Sequence, residues 1–286
     1  PETATTYNNL AGVYYHMGDY SLALEEYKRA LAIFEKVLGL EHPLTATSYN
    51  NLARVYRVLG AYPKALEYCK KALAIREKVL GLEHPDTAAT YNNLARVYRS
   101  QGDYPKALEY YQKDLEIIEK VFGLEHPYIV STYNNLAGVY YQQGNYHKAL
   151  IEYQKTLAIV EKVFGFEHPY TATTYNNLAR VLRSQGDYSK ALEYSRKALA
   201  ISETVLGLEH PEIATTYSNL GGIYKDQGSY PRALKYYLKS YKVLLRKYGA
   251  EHPHLKILRN NLKETYDEAD KSTVPFEVWL NGELNY

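Results

Sequence analysis

The chain has 286 residues, a formal net charge of +2 from 34 basic and 32 acidic side chains, and 46% hydrophobic residues. This balance gives no general attraction to nucleic acid or anionic membranes, so any electrostatic preference must be local. No apolar run approaches the roughly 20 residues that cross a bilayer, no signal-peptide pattern occurs, and the single cysteine, Cys69, excludes an internal disulfide. A cytoplasmic location is predicted.

The tripeptide Glu-His-Pro recurs every 42 residues, as from Pro43 to Pro85. A period of this length is typical of stacked repeats, in which each unit buries its apolar faces only against its neighbours. Six full repeats are predicted at 1–42, 43–84, 85–126, 127–168, 169–210 and 211–252. Because the chain opens on Pro1, at a repeat boundary, we expect it to be a fragment of a longer protein.

Each repeat reads as two helices. In the first repeat, the apolar face of the first helix is Tyr7, Leu10, Ala11 and Tyr14, spaced as on one side of a helix. Gly18 is a C-terminal stop, and Asp19 is the predicted N-cap of the second helix. The apolar residues of that second helix are Ala23, Tyr27, Ala30, Leu31, Phe34 and Leu38.

The C-terminal part departs from this pattern. Residues 253–270 begin a seventh repeat but turn polar, which predicts a capping helix. Residues 271–286 form a tail without a second-helix pattern. Trp279, the only tryptophan, lies between acidic residues in this tail. Two alternatives stay open for the tail: it caps the end of the stack, or it occupies a groove in its own or a neighbouring molecule.

A family resemblance rests on the repeat positions Tyr7, Leu10, Ala11, Tyr14, Gly18, Tyr20, Ala23, Tyr27 and Ala30. These residues resemble the tetratricopeptide repeat. The 42-residue length, with Asn-Asn-Leu in the first helix, resembles the repeats of kinesin light chains and their bacterial-type relatives, and a bacterial-type relative is favoured. The resemblance implies an all-α, right-handed superhelical solenoid of antiparallel helix pairs, in which the first helices line a concave groove.

Two rows of asparagine lie beside the apolar face of the first helices. The first row is Asn8, Asn50, Asn92, Asn134 and Asn176, and the second is Asn9, Asn51, Asn93, Asn135, Asn177 and Asn219. Because an amide both donates and accepts hydrogen bonds, such rows could hold the backbone of an extended peptide. The alternative is that some of these amides bond to the backbone of the neighbouring repeat and only hold the stack together.

A second feature of this face varies between repeats. One position runs Gly12, Arg54, Arg96, Gly138, Arg180, Gly222, and the position three residues on runs Tyr15, Arg57, Arg99, Tyr141, Arg183, Lys225. Repeats 2, 3 and 5 thus present arginine pairs, with tyrosines between them. Arginine favours carboxylates and stacks on aromatic rings, which predicts an acidic peptide that could also contain Trp. The alternative is that the arginines pair with glutamates of adjacent second helices.

The periodic histidines are too far apart for one metal site and are interpreted as turn residues. Cys69, in the second helix of repeat 2, is expected at a surface or half-buried position. No nucleotide-binding loop, nucleophile elbow or Cys-His pair occurs, so we predict neither enzyme nor cofactor. The predicted function is that of a scaffold or adaptor that binds an acidic peptide, with no nucleic-acid or membrane partner. Two alternatives are a regulatory array of a larger protein, and self-assembly through the solenoid ends or the tail.

Overall fold

The computed structural model describes residues 1–250, 253–269 and 274–285, and these residues contain helices and no strand. The helices are α1 (Glu2–Met17), α2 (Tyr20–Leu38), α3 (Pro43–Val58), α4 (Tyr62–Leu80), α5 (Pro85–Gln101), α6 (Tyr104–Phe122), α7 (Pro127–Gln142), α8 (Tyr146–Phe164), α9 (Pro169–Ser184), α10 (Tyr188–Ile201), α11 (Pro211–Asp226), α12 (Tyr230–Tyr248), α13 (Pro253–Ala269) and α14 (Phe276–Leu284). A π-helical segment, Ser202–Leu206, extends α10. The predicted all-α class of helix pairs is confirmed.

The Glu-His-Pro tripeptide starts the first helices. Proline occupies the first helical position, where its missing N–H costs nothing, and the histidine before it is the N-cap. The histidine Nδ1 accepts a hydrogen bond from the amide two residues on, at 3.0–3.3 Å, for His42, His84, His126, His168 and His210. The interpretation of these histidines as turn residues is confirmed, and His252 lies outside the described residues.

The chain forms two compact units, Pro1–Gln143 and Gly144–Tyr286. The first unit contains α1 to α7 and the second α8 to α14. Within each unit, every helix packs against the next one along the chain. Small residues allow close approach at these contacts, since Ala11, Ala23 and Ala30 have no exposed surface.

The predicted apolar face of α1 is only partly buried. Leu10 is 38% exposed, whereas its equivalents Leu52 and Leu94 are fully buried. The physical reason is packing: α3 and α5 each pack against the second helix of the preceding repeat as well as that of their own, whereas no second helix precedes α1 among the described residues.

The tail contains a helix that the sequence pattern did not predict. Phe276 and Leu280 of α14 are buried in a cluster with residues of α12 and α13. The Trp279 ring lies 4.8 Å from that of Tyr266, whose hydroxyl donates to the Val274 carbonyl at 2.9 Å. In this structure α14 therefore covers α13 through its apolar side.

Candidate peptide-binding face

Three asparagines of the first row link neighbouring repeats. Its donated hydrogen bonds in repeats 2 and 5 are Asn50 Nδ2 to Thr90 Oγ1 at 3.0 Å and Asn176 Nδ2 to Thr216 Oγ1 at 2.8 Å. In repeat 3, Asn92 donates instead to Asp114 Oδ2 at 2.6 Å. Asn8 accepts from Asn51 at 2.9 Å, and Asn134 is half-buried. The bonds of Asn8, Asn50 and Asn176 match the open alternative, except that their partners are side chains rather than backbone.

The asparagines of the second row make fewer hydrogen bonds. Asn51 and Asn219 both donate to a first-row asparagine of the preceding repeat. Asn9 is exposed at the end of unit 1. The remaining three, Asn93, Asn135 and Asn177, are half-buried, and no hydrogen bond to their amides occurs among the residues described. These three amides are therefore available to a ligand.

The Gly/Arg variation places glycines and arginines of successive repeats next to each other. A Cβ atom on Gly138 would lie 2.9 Å from Arg99 Nη2, and one on Gly222 would lie 2.0 Å from Arg183 Nη1. Each arginine thus occupies space that the glycine of the following repeat leaves open. Gly12, by contrast, has only the Tyr27 hydroxyl nearby, at 3.7 Å.

In unit 2 the basic groups of this face have protein partners. Arg183 makes a bidentate ion pair with Asp226, at 2.6 and 3.0 Å. Lys225 pairs with Glu264 at 3.0 Å, and Arg180 donates to the Tyr153 hydroxyl at 3.3 Å. The partner of Arg183 lies on the next first helix, and not on a second helix as the alternative supposed. Of the two arginines of repeat 5, Arg183 is therefore neutralised by a carboxylate, whereas Arg180 donates to a neutral hydroxyl.

Among the residues that the structure describes, no carboxylate pairs with the arginines of repeats 2 and 3 in unit 1. Arg54 lies 4.8 Å from the Tyr15 ring in a cation–π contact. Arg57 donates only a long hydrogen bond, 3.4 Å, to Ser100, and Arg99 donates to Gln142 at 2.7 Å. Arg96 has no hydrogen bond or ion pair within the described part of the chain. We call Arg54, Arg57, Arg96 and Arg99 the arginine cluster.

Within this cluster, the surroundings of Arg96 disfavour its charged form. Burial lowers the pKa of its guanidinium, and the nearby charges of Arg57 and Arg54 lower it further, against the opposing effect of Tyr111 and Tyr15. A group held among like charges away from water gains most from an added anion. The cluster is thus a region of positive charge that lies partly away from water.

Two cavities lie along the arginine cluster. The larger, about 430 Å³, is lined by residues that include Asn51, Arg54, Asn93, Arg96 and Asp114. The smaller, about 290 Å³, is lined by Arg57, Arg96, Arg99, Ser100, Asn135 and Gln142. Arg96 lines both cavities. Each cavity is also lined by an asparagine of the second row, Asn93 in the larger and Asn135 in the smaller.

The two tyrosines predicted as an aromatic shelf are both half-buried. Tyr15 packs edge-on to Tyr20 with ring centroids 5.6 Å apart, in addition to its contact with Arg54. Tyr141 lies at the last turn of α7. They belong to the first and fourth repeats, on either side of the arginine cluster in sequence.

Sequence reasoning missed two buried charged residues of the larger cavity, Arg76 and Asp114. Arg76 donates to the Asp86 carbonyl at 2.6 Å and to Thr90 Oγ1 at 2.9 Å. A signal was present for both, because each stands where other repeats have an apolar or small residue, as Phe34 and Ala72 do. Comparison of second-helix positions between repeats would have found them.

Other classes of site were sought in the part of the chain that the structure covers. No group of three or more His, Cys, Asp or Glu side chains could hold a metal ion there. None of the described helices has the length and apolarity to span a bilayer. Cys69, expected at a surface or half-buried position, is fully buried, and burial raises the pKa of its thiol to about 12; the expectation was wrong.

Solved structures with the same fold include a Podospora anserina protein described as a kinesin light chain with nearly identical tetratricopeptide-like repeats. It is 27% identical over 73% of this chain and 99% of its own, with a TM-score of 0.60. BtubC from P. vanneervenii is 24% identical over 83% of this chain and 92% of its own, with a TM-score of 0.62. RapI in its apo form is 17% identical over 94% and 99%, with a TM-score of 0.61.

A comparison with curated proteins finds no match. The sequence profile of the tetratricopeptide repeat family matches residues 2–68, 49–120, 89–162, 128–204 and 212–273. These matches, together with the helix pairs and the likeness to kinesin-light-chain-like structures, fix the family. The chain therefore belongs to the tetratricopeptide repeat family, and its solved structural neighbours include a protein described as a kinesin light chain.

Proposed function

We propose that this protein is an interaction scaffold whose unit 1 binds an extended, acidic peptide segment at the arginine cluster. Repeats of this family serve as protein-interaction scaffolds, which gives the general class. The finer proposal rests on one observation: within the described residues, Arg54, Arg57 and Arg96 have no carboxylate partner, whereas Arg183 and Lys225 of unit 2 do.

Unpaired guanidinium groups can each gain a charge-assisted hydrogen bond from a ligand carboxylate. Arg96 is already partly desolvated, so it loses little further hydration when an anion replaces water beside it. The open amides of Asn93 and Asn135 would hold the peptide backbone next to these charges. Tyr15, which already contacts Arg54, offers an aromatic surface for a Trp-containing partner.

The test is binding of an acidic, Trp-containing peptide library to the wild type and to Arg54→Gln/Arg57→Gln/Arg96→Gln, at low and at high salt. We expect the triple variant to bind at least about tenfold more weakly, because each charged hydrogen bond contributes about 1.5–3 kcal/mol. Its residual binding should also depend less on salt.

The matched control is Lys28→Gln/Lys36→Gln/Lys70→Gln. It removes the same charge from exposed second-helix positions of unit 1. The control should bind like the wild type. Equal affinity of all three proteins, or equal losses in both variants, would contradict the proposal and leave only the general scaffold class.

The alternative of a regulatory array attached to a catalytic domain has no observation in its favour in this chain. It stays a hypothesis.

A further inference from the structure

A carboxylate occupies one second-helix position where the other repeats are neutral. Asp114 lies on α6 and is only 3% exposed. The equivalent residues are Ala30, Ala72, Thr156, Ala198 and Ser240. A buried carboxylate needs compensation for its lost hydration, so its presence calls for an explanation.

The contact between repeats does not require this carboxylate. In repeats 2 and 5, asparagine donates directly to the threonine of the following repeat. In repeat 3, Asn92 and Thr132 both donate to Asp114 Oδ2, each at 2.6 Å. Asp114 is thus inserted into a link that the same fold makes elsewhere without it. Burial raises the pKa of its carboxyl to about 6 in spite of these hydrogen bonds, so the surroundings disfavour the charged form.

One oxygen of Asp114 is left for a ligand. Oδ2 accepts both hydrogen bonds, and Oδ1 has no donor among the described residues. Asp114 lines the larger cavity together with Arg54, Arg76 and Arg96. Arg76 is committed to Thr47, Asp86 and Thr90, and no ion pair joins Asp114 to any of the arginines. The cavity therefore holds an open acceptor and open cationic donors that do not neutralise each other.

We propose that the larger cavity of unit 1 binds a lysine side chain of the peptide, with its ammonium on Asp114 Oδ1, next to an acidic residue held by Arg96. This inference rests on the proposed function and adds the second charge of the partner. Lysine fits better than arginine, because an ammonium needs only one acceptor oxygen, whereas a guanidinium pairs best with both oxygens of a carboxylate.

The experiment uses three peptides that share one acidic sequence and differ at a single central residue: lysine, acetyl-lysine or norleucine. Each is titrated into the wild type and Asp114→Ala. This variant places at position 114 the residue that repeats 1, 2 and 5 already have, so the fold accommodates it. We expect the wild type to prefer lysine over norleucine about tenfold, equal to about 1.4 kcal/mol, and Asp114→Ala to lose that preference.

A second variant, Glu116→Ala, removes the same charge from an exposed position of α6 that does not line the cavity and should keep the preference for lysine. Loss of the preference in Glu116→Ala alone, its survival in Asp114→Ala, or its absence in the wild type would each overturn the inference. Failure of the proposed function would give a different result. Each of the three peptides would then bind the triple arginine variant as tightly as it binds the wild type.

Discussion

Burial of the Asp114 carboxyl makes the free energy of unfolding depend on pH. Burial raises its pKa to about 6, and the hydrogen bonds from Thr132 and Asn92 only partly oppose this. In the unfolded chain an aspartate has a pKa of about 3.9. The folded state therefore binds the proton more tightly, so stability falls as pH rises from about 4 to about 6, by about 3 kcal/mol.

We expect Asp114→Ala to abolish that contribution. The measurement is the urea midpoint of both proteins at pH values between about 4 and 7. Both proteins share the other charged groups of the cavity, which are Arg54, Arg76, Arg96 and Asp86. The difference in urea midpoint between the two proteins therefore reports on Asp114 alone. Relative to the variant, the wild type should become less stable as pH rises. A difference that does not change with pH would contradict the assignment.

The first helices depend on their histidine caps. His84 Nδ1 accepts from the Asp86 amide at 3.0 Å, directly before the proline that opens α5. We expect His84→Ala to lower the free energy of unfolding by about 1 kcal/mol, since an amide at the helix start loses its acceptor. Thermal or urea unfolding measures this loss. His84→Asn keeps a side-chain acceptor and should retain most of the stability; equal losses in both variants would refute the capping role.

At the scale of the whole molecule, the two ends of the described chain differ. The α14 helix covers α13, whereas α1 leaves Leu10 38% and Val13 54% exposed. The equivalents Leu52 and Val55 are fully buried. The exposed face of α1 is therefore a surface that a second copy could cover. It gives the self-assembly alternative a specific contact surface.

We predict concentration-dependent self-association of the wild type that Leu10→Gln/Val13→Gln removes, because the double variant makes this apolar face polar. Sedimentation velocity over a wide concentration range measures it. Val278→Gln, a change at an exposed position of α14, is the control and should associate like the wild type. A wild type that stays monomeric at every concentration would exclude association through α1.

The sequence predicted the elements well for a physical reason. Helix starts and ends are local events, set by a proline, a capping side chain such as Asp19 (which accepts from the Leu22 amide at 3.1 Å) or a glycine such as Gly18. The tail helix escaped prediction because Phe276 and Leu280 are buried by α12 and α13, and not by a repeat pattern of their own.

The candidate site was predicted only in part. The sequence identified the asparagines because they recur from repeat to repeat, and the arginines because a repeat makes a variable position visible. It could not separate Arg183, neutralised by Asp226, from Arg57, which no described carboxylate neutralises, because the partner lies 43 residues away.

The sequence by itself determined the family, the repeat length, the helix pairs and the face on which ligands are expected. These follow from periodicity, because each repeat carries the same pattern of residues as the one before it. Only the tertiary structure decided which charges remain unpaired, that Gly138 makes room for Arg99, and that Asp114 opens into a cavity beside Arg96. Those outcomes depend on distances between residues of different repeats, and a spacing along the chain does not fix such distances.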